Sequence, residues 1–173
     1  MNPIYERARA AVTVRPARSG DVEAARAIRN HAIEHSTALW TQTPQSLVEA
    51  EAWLAVHLER GSAFVAEVEG EVAGFAVYGP WRELDGYRHT VEDSVYVRDG
   101  RHGLGIGSAL LGALVTAARE AGHHVVIAGI EAENVSSMRL HERFGFQCVG
   151  VIPEVGTKFG RWLDLTLMRL ALS

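Results

Sequence analysis

Cysteine is almost missing from this sequence, since Cys148 is the single cysteine in 173 residues. One thiol excludes an intramolecular disulfide framework, a cysteine-rich zinc site and a cysteine-ligated cluster. A chain that uses no disulfides is typical of a reducing compartment, and we therefore expect a cytoplasmic protein.

Clustered positive charge and long apolar runs are missing as well. Lys and Arg number 17 against 21 Asp and Glu, which gives a formal net charge of −4, and like charges form no long run. Nucleic-acid binding needs a clustered cationic surface, so we expect no nucleic-acid partner. No stretch approaches the roughly 18 apolar residues that span a bilayer, and the first residues carry no apolar signal-peptide core. We expect no membrane partner.

Apolar residues, by contrast, are plentiful. They make up 47% of the chain against 22% charged residues, which is typical of a globular domain. No internal repeat, low-complexity tract or linker divides the sequence. We expect a single domain over residues 1–173, in which residues 1–10 form a flexible lead-in.

Hydrophobic periodicity alternates between the helical and the extended pattern along the chain. Helices are predicted over residues 21–35, from Thr43-Pro44 to Gly61, over 103–121 and over 134–144. Strands are predicted over residues 12–16, 63–68, 72–78, 90–97, 125–128, 147–152 and 162–172. This order predicts an α/β fold with a mixed central sheet and helices on both of its faces.

A glycine-rich turn follows the strand at 90–97 and leads into a helix. Gly103, Gly105 and Gly107 would let backbone N–H groups approach a phosphate, whose charge the helix N-terminus favours. Ser108-Ala109 stands where a Walker loop needs Lys-Ser/Thr, and the turn follows the fourth strand, whereas a dinucleotide fold needs it after the first. The pattern therefore indicates an anion-binding turn of another kind, with simple close packing as the alternative.

The turn His102-Gly103-Leu104-Gly105-Ile106-Gly107 resembles the phosphate loop Gln/Arg-x-x-Gly-x-Gly of the GNAT superfamily of acetyl-CoA-dependent N-acetyltransferases, with His102 replacing Gln or Arg. The segment from Asn134 to Phe146 is similar to that family's second signature, in which Asn contacts the cofactor and Tyr usually occupies the place of His141. The resemblance covers nearly the whole chain. It implies a GNAT-type domain with a mixed, mostly antiparallel central sheet and helices on both faces.

The resemblance also implies acetyl-CoA as the co-substrate. In that family the strand before the turn splays from its neighbour, so its backbone amides could bind the pantetheine arm and stabilise an oxyanion. The residues expected to bind acetyl-CoA are Val95, Tyr96, Val97, His102, Gly103, Leu104, Gly105, Ile106, Gly107, Ser108 and Asn134.

More narrowly, four separated segments are similar to the phosphinothricin and methionine-sulfone N-acetyltransferases. They are Trp81-Arg82, residues 87–97, Leu140-His141-Glu142 and residues 158–164. This resemblance implies a small amino-acid-like substrate and a homodimer. Three cations, Arg82, Arg88 and Lys158, are candidates to bind the substrate carboxylate. The resemblance favours Arg82, and an ordinary surface cation is the alternative for each.

An acetyl transfer to an amine needs a base, because a protonated amine with a pKa of about 10.4 cannot attack a thioester. Glu92 lies in the strand that leads into the turn and is the predicted base; the resemblance assigns it the same role, acting through a water. A solvated strand glutamate is the alternative. His141 could protonate the departing thiolate, although a thiol pKa of about 8.5 makes that acid dispensable and a structural histidine equally reasonable.

His31 and His35 have metal-ligand spacing, but Ala32 occupies the position at which a metalloprotease helix carries Glu, so we expect no metal site. The sequence thus predicts an acetyl-CoA-dependent N-acetyltransferase that acts on a small amino-acid-like amine by direct attack. The alternatives are an acetyltransferase for another amine or a protein N-terminus, and a non-catalytic acyl-CoA-binding module.

Overall fold

A computed structural model describes residues 11–172, and the predicted lead-in at residues 1–10 lies outside the described residues. The described part of the chain contains seven strands: β1 (Val12–Pro16), β2 (Ala63–Val68), β3 (Glu71–Pro80), β4 (Thr90–Val97), β5 (Val125–Glu131), β6 (Gln147–Lys158) and β7 (Arg161–Ala171). Its four α-helices are α1 (Val22–His35), α2 (Leu47–Glu59), α3 (Ile106–Glu120) and α4 (Val135–Arg143). None of these helices has the length and apolar content needed to cross a membrane.

The strands form one open sheet in the order β1-β2-β3-β4-β5-β7-β6. Every neighbouring pair is antiparallel except β4 and β5, which are parallel because α3 carries the chain across between them. A two-residue turn at Glu69-Gly70, with φ values of 55° and 82°, closes the β2–β3 hairpin. The predicted mixed, mostly antiparallel sheet is confirmed.

Helices cover both faces of the sheet, as expected. Alternate residues of β2 divide between two cores: Val65 packs with Ile28 and Leu54 on the α1/α2 face, whereas Ala66 packs with Leu110 on the α3 face. Helix α4 contributes partly buried residues to the second core. The sheet therefore separates two cores. Alternate side chains of a strand point either to α1 and α2 or to α3 and α4.

Several predicted boundaries differ from the observed ones, and three of these differences have a clear local description. Helix α2 begins at Leu47 instead of at Thr43-Pro44, because Ser46 and Glu49 form a capping box in which each side chain bonds the other's backbone N–H. Helix α3 begins at Ile106 instead of residue 103, because the turn before it is left-handed. Strand β6 continues beyond residue 152 to Lys158 through two register shifts.

Candidate active site

The site begins where β4 leaves β5. Parallel pairing between these strands extends only over Thr90–Glu92, opposite Val125–Ile127. The other edge of β4 stays paired with β3 as far as Val97. The expected splay is therefore present, and beyond Glu92 the edge of β4 that faces β5 has no strand partner there.

Four cavities follow β4 from its C-terminal to its N-terminal end. A groove of about 360 Å³ lies beside Val97, between α1 and α4. A gap of about 70 Å³ lies between the diverging strands and is lined by Asp93 and His141. An inner chamber of about 210 Å³ contains Glu92. An open outer cavity of about 890 Å³ contains Arg82.

The four cavities are neighbours that share lining residues. Tyr96 lines the groove, the gap and the inner chamber, and Gly79 and Pro80 line both the inner chamber and the outer cavity. In the β3–β4 register, Glu92 is paired with Gly79. Glu92 therefore lies close to the residues that the inner chamber and the outer cavity have in common.

The glycine turn borders the groove, which is lined by His102 and Gly107 of the turn. Gly103 and Gly105 have φ values of 80° and 86°, and a Cβ atom on either would meet nothing within 4 Å. The side chains of Leu104 and Ile106 pack against the core, Ile106 being 1% exposed. An anion at this turn would consequently meet the free N–H groups at the start of α3.

Gly107 differs from the other two glycines of the turn. It lies inside α3, and a Cβ atom there would stand 3.2 Å from Cδ2 of Leu140 in α4. The close-packing alternative therefore applies to Gly107, although the residue also lines the groove. Ser108 follows it in the first turn of α3.

The structure brings most of the expected acetyl-CoA residues to one place. The groove is lined by Val95, Tyr96, Val97, His102, Gly107 and Asn134. Asn134 also caps α4, because its Oδ1 accepts a hydrogen bond from the Ser137 backbone N–H at 3.1 Å. The cap fixes this asparagine at the point where groove and gap meet.

Glu92 lies on the α1/α2 side of the sheet, because successive side chains of β4 point to opposite faces. It reaches solvent within the inner chamber, yet the surrounding protein desolvates the carboxylate and raises the pKa of Glu92. The neighbouring charge of Asp93 raises this pKa further, whereas Arg82 opposes the shift. A carboxylate with a raised pKa is a stronger base. Gly129 leaves room for it, since a Cβ there would stand 3.1 Å from Oε1 of Glu92.

Asp93 and His141 form a buried pair on the opposite face. His141 Nε2 donates to Asp93 Oδ2 at 2.9 Å, and Nδ1 donates to the Ser137 carbonyl oxygen at 2.8 Å. Burial alone would lower the pKa of His141, but the hydrogen bond and charge of Asp93, together with the Ser137 carbonyl, outweigh it and raise this pKa. Two acceptors require two N–H donors, which is the protonated imidazolium. Asp93 Oδ1 is buried without a partner among residues 11–172.

Comparison with known proteins agrees with this geometry. Residues 25–146 match the acetyltransferase (GNAT) family. The chain belongs to this family.

Three similar proteins illustrate the relationship. The L-methionine sulfoximine/L-methionine sulfone acetyltransferase of Pseudomonas aeruginosa is 46% identical over 92% of this chain and 94% of its own. The structure of YncA from Salmonella typhimurium with acetyl-CoA gives a TM-score of 0.92 at 43% identity, covering 94% and 95% of the two chains. The phosphinothricin acetyltransferase Pat of Sinorhizobium meliloti, solved with acetyl-CoA, gives 0.90 at 34% identity, covering 94% and 89%.

Two of the three candidate cations of this GNAT protein lie together. Arg82 and Arg88 both line the outer cavity. The Arg82 guanidinium lies 4.7 Å from the ring centroid of Trp81, and Arg88 donates a hydrogen bond to the backbone carbonyl of Asp85 at 3.1 Å. Both cations are exposed, and a carboxylate that entered the outer cavity would have access to either.

The third candidate, Lys158, is contradicted as a substrate ligand. Its side chain is buried, with 1% of the residue exposed, and Nζ donates to the backbone carbonyls of Ser36 and Leu39 at 2.6 Å each. Ser36 lines the groove and Leu39 lines the inner chamber. The Lys158 ammonium group therefore holds the segment after α1 in place next to the groove and the inner chamber. It is not available to bind a substrate.

The inner chamber also contains residues that sequence reasoning misses. Arg29 of α1 and His57 of α2 line it together with Trp53. Arg29 had a signal: it follows Ala25 by four residues, which places it beside Ile28 on the buried side of an amphipathic helix. Within the described range, no group of three or more His, Cys, Asp or Glu side chains is arranged to hold a metal ion.

The Asp93–His141 pair predicts a pH-dependent stability. Because the pKa of His141 is raised in the folded state, its stabilising contribution is fully present below the unfolded pKa of about 6.5 and is lost as the pH rises through the folded value. Asp93→Asn should therefore lower the free energy of unfolding by about 3–5 kcal/mol near pH 6, and by progressively less at higher pH. Urea unfolding at a series of pH values measures this difference.

A matched control is Glu23→Gln, which breaks the exposed pair between Glu23 and Arg26. Its cost should stay below about 1 kcal/mol at every pH. A deficit for Asp93→Asn that does not change with pH would contradict the assignment of a protonated His141.

Proposed function

We propose that this protein transfers the acetyl group of acetyl-CoA to the primary amine of a small amino-acid-like substrate by direct attack. One observation carries the proposal: the neighbouring cavities along β4 have the glycine turn at one end, cations at the other, and the carboxylate of Glu92 between them. The relatives named for methionine sulfone and phosphinothricin acetylation support the substrate class. A carboxylate with a raised pKa between the turn and the cations argues against a non-catalytic acyl-CoA-binding module.

The residues of the groove fit acetyl-CoA. Phosphate groups are suited to the N–H groups of the glycine turn and to the positive end of the α3 dipole. The open edge of β4 from Asp93 to Val97 offers backbone groups to an extended chain that carries amides, as pantetheine does, in the manner of an added strand. An N–H of this edge, placed near the thioester, would stabilise the negative charge that develops on its oxygen.

Glu92 acts as the base for the amine. It takes a proton from the substrate ammonium, directly or through one water, and the neutral nitrogen then attacks the thioester carbonyl carbon. A carbon–nitrogen bond forms, the carbon–sulfur bond breaks, and the thiolate leaves with the electron pair. The extra proton on the acylated nitrogen then passes to water, which leaves the neutral amide. The raised pKa of Glu92 favours the proton transfer from the ammonium.

His141 is the proposed proton donor to the thiolate; to donate, one of its N–H groups must exchange its present acceptor, Asp93 or the Ser137 carbonyl, for the sulfur. His141 lines the gap between the strands, and its raised pKa keeps the imidazolium populated near neutral pH. Since a thiol has a pKa of about 8.5, the thiolate can also leave unprotonated, and the contribution of His141 is therefore a modest one.

Arg82 binds the carboxylate of the substrate, with Arg88 as the second cation of the same cavity. A guanidinium can hold a carboxylate by two parallel hydrogen bonds, which an amide or a plain alkylamine cannot replace. The charge of Arg82 also reaches Glu92, whose pKa it lowers against the effect of burial. Amine and carboxylate of one amino acid can thus be held by Glu92 and Arg82 together.

We further propose a homodimer, located in the cytoplasm, that buries the outer strand of the sheet. β6 is an edge strand, and its exposed apolar residues are Val149, Val151, Ile152 and Val155, at 41–58% exposure. A long edge strand with exposed apolar side chains tends to pair with another chain. A second copy of this protein supplies a matching edge.

Replacing Glu92 tests the base. Glu92→Gln keeps the shape and removes the basicity, so turnover near neutral pH should fall by roughly 10²–10⁴-fold while acetyl-CoA affinity stays nearly unchanged. The loss should shrink as the pH approaches the pKa of the substrate amine. Steady-state kinetics by thiol release and calorimetric titration with acetyl-CoA measure the two effects, with Glu51→Gln on the exposed side of α2 as the control.

Replacing Arg82 tests the substrate class. Arg82→Ala should lower kcat/KM for a free amino acid by roughly 10–100-fold, as expected for a charged hydrogen bond worth about 1.5–3 kcal/mol. The corresponding amino-acid amide, which lacks the anion, should lose much less. Equal losses for acid and amide would refute the carboxylate assignment and leave the acetyl transfer intact, whereas the same selective loss in Arg88→Ala alone would move the role to Arg88.

A charge on the edge strand tests the dimer. Val151→Lys places a lysine among the exposed apolar residues of β6 and should convert the dimer into a monomer. Sedimentation velocity should then show half the mass of the wild type. Val48→Lys, at a residue 74% exposed on α2, is the control and should leave the mass unchanged. A wild-type protein that sediments as a monomer would contradict the proposal directly.

A further inference from the structure

The inner chamber holds a cation that the reaction described above does not use. Arg29 of α1 lines this chamber together with Glu92. Its guanidinium carbon lies 5.2 Å from the ring centroid of Trp53, in a cation–π contact. The stacking orients a planar, permanently charged group at the wall of a chamber of about 210 Å³.

Arg29 lacks a polar partner that would explain its position. Its Nε is buried and has no hydrogen-bond partner among residues 11–172. Other arginines nearby are paired: Arg15 contacts Asp21 at 2.8 Å, and Arg26, less than one turn away on α1, contacts Glu23 at 2.9 Å. Leaving a partly buried guanidinium unpaired costs free energy, which an anion entering the chamber would recover.

The one carboxylate of the chamber, Glu92, makes no ion pair with Arg29 within residues 11–172. His57 and Tyr96, the other polar walls near Arg29, supply no anion either. Burial lowers the pKa of His57, and the charges of Arg60 and Arg29 lower it further against the Tyr78 carbonyl, so His57 is neutral. Burial raises the pKa of Tyr96 to about 12, although Arg29 opposes this shift, so Tyr96 is neutral as well. The positive charge of Arg29 therefore lowers the pKa of both His57 and Tyr96, two residues that line the chamber.

The two free arginines lie on either side of Gly79-Pro80. Arg82 lines the outer cavity and Arg29 lines the inner chamber, and these two residues of β3 form part of both walls. Glu92 is paired with Gly79 in the strand register. An amino acid whose amine meets Glu92 and whose carboxylate meets Arg82 would direct its side chain into the chamber with Arg29.

We propose that Arg29 is a specificity-determining residue that binds a second anionic group, carried on the side chain of the amine substrate. The proposal rests on the proposed function and narrows it to amino acids whose side chain ends in a carboxylate, a phosphinate or a similar oxyanion. Among the substrates named for the relatives, phosphinothricin carries such an anion, whereas methionine sulfone presents neutral oxygens. Phosphinothricin should accordingly be the better substrate of this protein.

The test compares substrates that differ at the side-chain end. Steady-state kcat/KM is measured for phosphinothricin, methionine sulfone and norleucine, which end in an anion, neutral oxygens and a methyl group. Arg29→Gln should reduce kcat/KM for phosphinothricin by about 10–100-fold, as expected for hydrogen bonds between charged groups, and for norleucine by less than about threefold. Arg29→Lys, which retains the charge, should keep most of the preference for the anion.

Ornithine has a cationic side chain, so its interaction with Arg29 should be repulsive where that of phosphinothricin is attractive. Removing a cation from the chamber should raise its kcat/KM in Arg29→Gln, an increase that a general structural defect would not produce. Arg26→Gln, a paired and partly exposed arginine of the same helix, is the matched control and should leave the order of the substrates unchanged.

Equal losses for phosphinothricin and norleucine in Arg29→Gln would overturn the proposal, as would a wild-type protein that acetylates norleucine as well as phosphinothricin. Both results would leave the proposed function in place, because amino acids would still be acetylated. A wild-type protein that acetylates no amino acid or analogue, but another amine instead, would overturn the proposed function and the role of Arg29 with it.

Discussion

The end of pairing between β4 and β5 is the constraint on which the site depends. Had the parallel pairing continued past Glu92, the backbone groups that face the gap would be consumed by the sheet. The sheet tolerates the open edge because β3 holds the other side of β4 along its full length and because α4 closes the gap from one face through His141. Because strand pairing continues on both sides of the opening, the surrounding sheet holds its edges in place. A rigid opening of this kind can position two reactants.

Alternation along β4 then separates the two proton-transfer groups. Glu92 and Asp93 are adjacent in sequence but face different helices, so one carboxylate can stay free for an amine while the other pairs with His141. The negative charge of Asp93 contributes to raising the pKa of both Glu92 and His141. A single buried carboxylate thereby helps to raise the pKa of the proposed base on one face and of the proposed acid on the other.

Local sequence patterns encode β4 and the glycine turn, which is why the strand that contains Glu92 and the turn after it can be predicted from the sequence. The roles of Glu92 and of the turn stay predictions. Lys158 is assigned wrongly because its carbonyl partners, Ser36 and Leu39, are 122 and 119 residues away, and no periodic pattern records such a contact. Arg29 is missed for a different reason. A helical pattern identifies a buried face by its apolar residues, and a cation on that face only interrupts the pattern.

The length of β4 sets the distance between Glu92 and the glycine turn. A strand advances about 3.3 Å per residue, so the five steps from Glu92 to Val97 separate the base from the approach to the glycine turn by roughly 16 Å. In the proposed reaction this distance selects the acyl donor. A donor that binds the glycine turn through its phosphates must carry its thioester about this far from them in order to reach Glu92. A short thioester without phosphates could reach Glu92 but would lack the binding contribution of the glycine turn. Shortening or lengthening β4 would change the length of the donor that fits both ends.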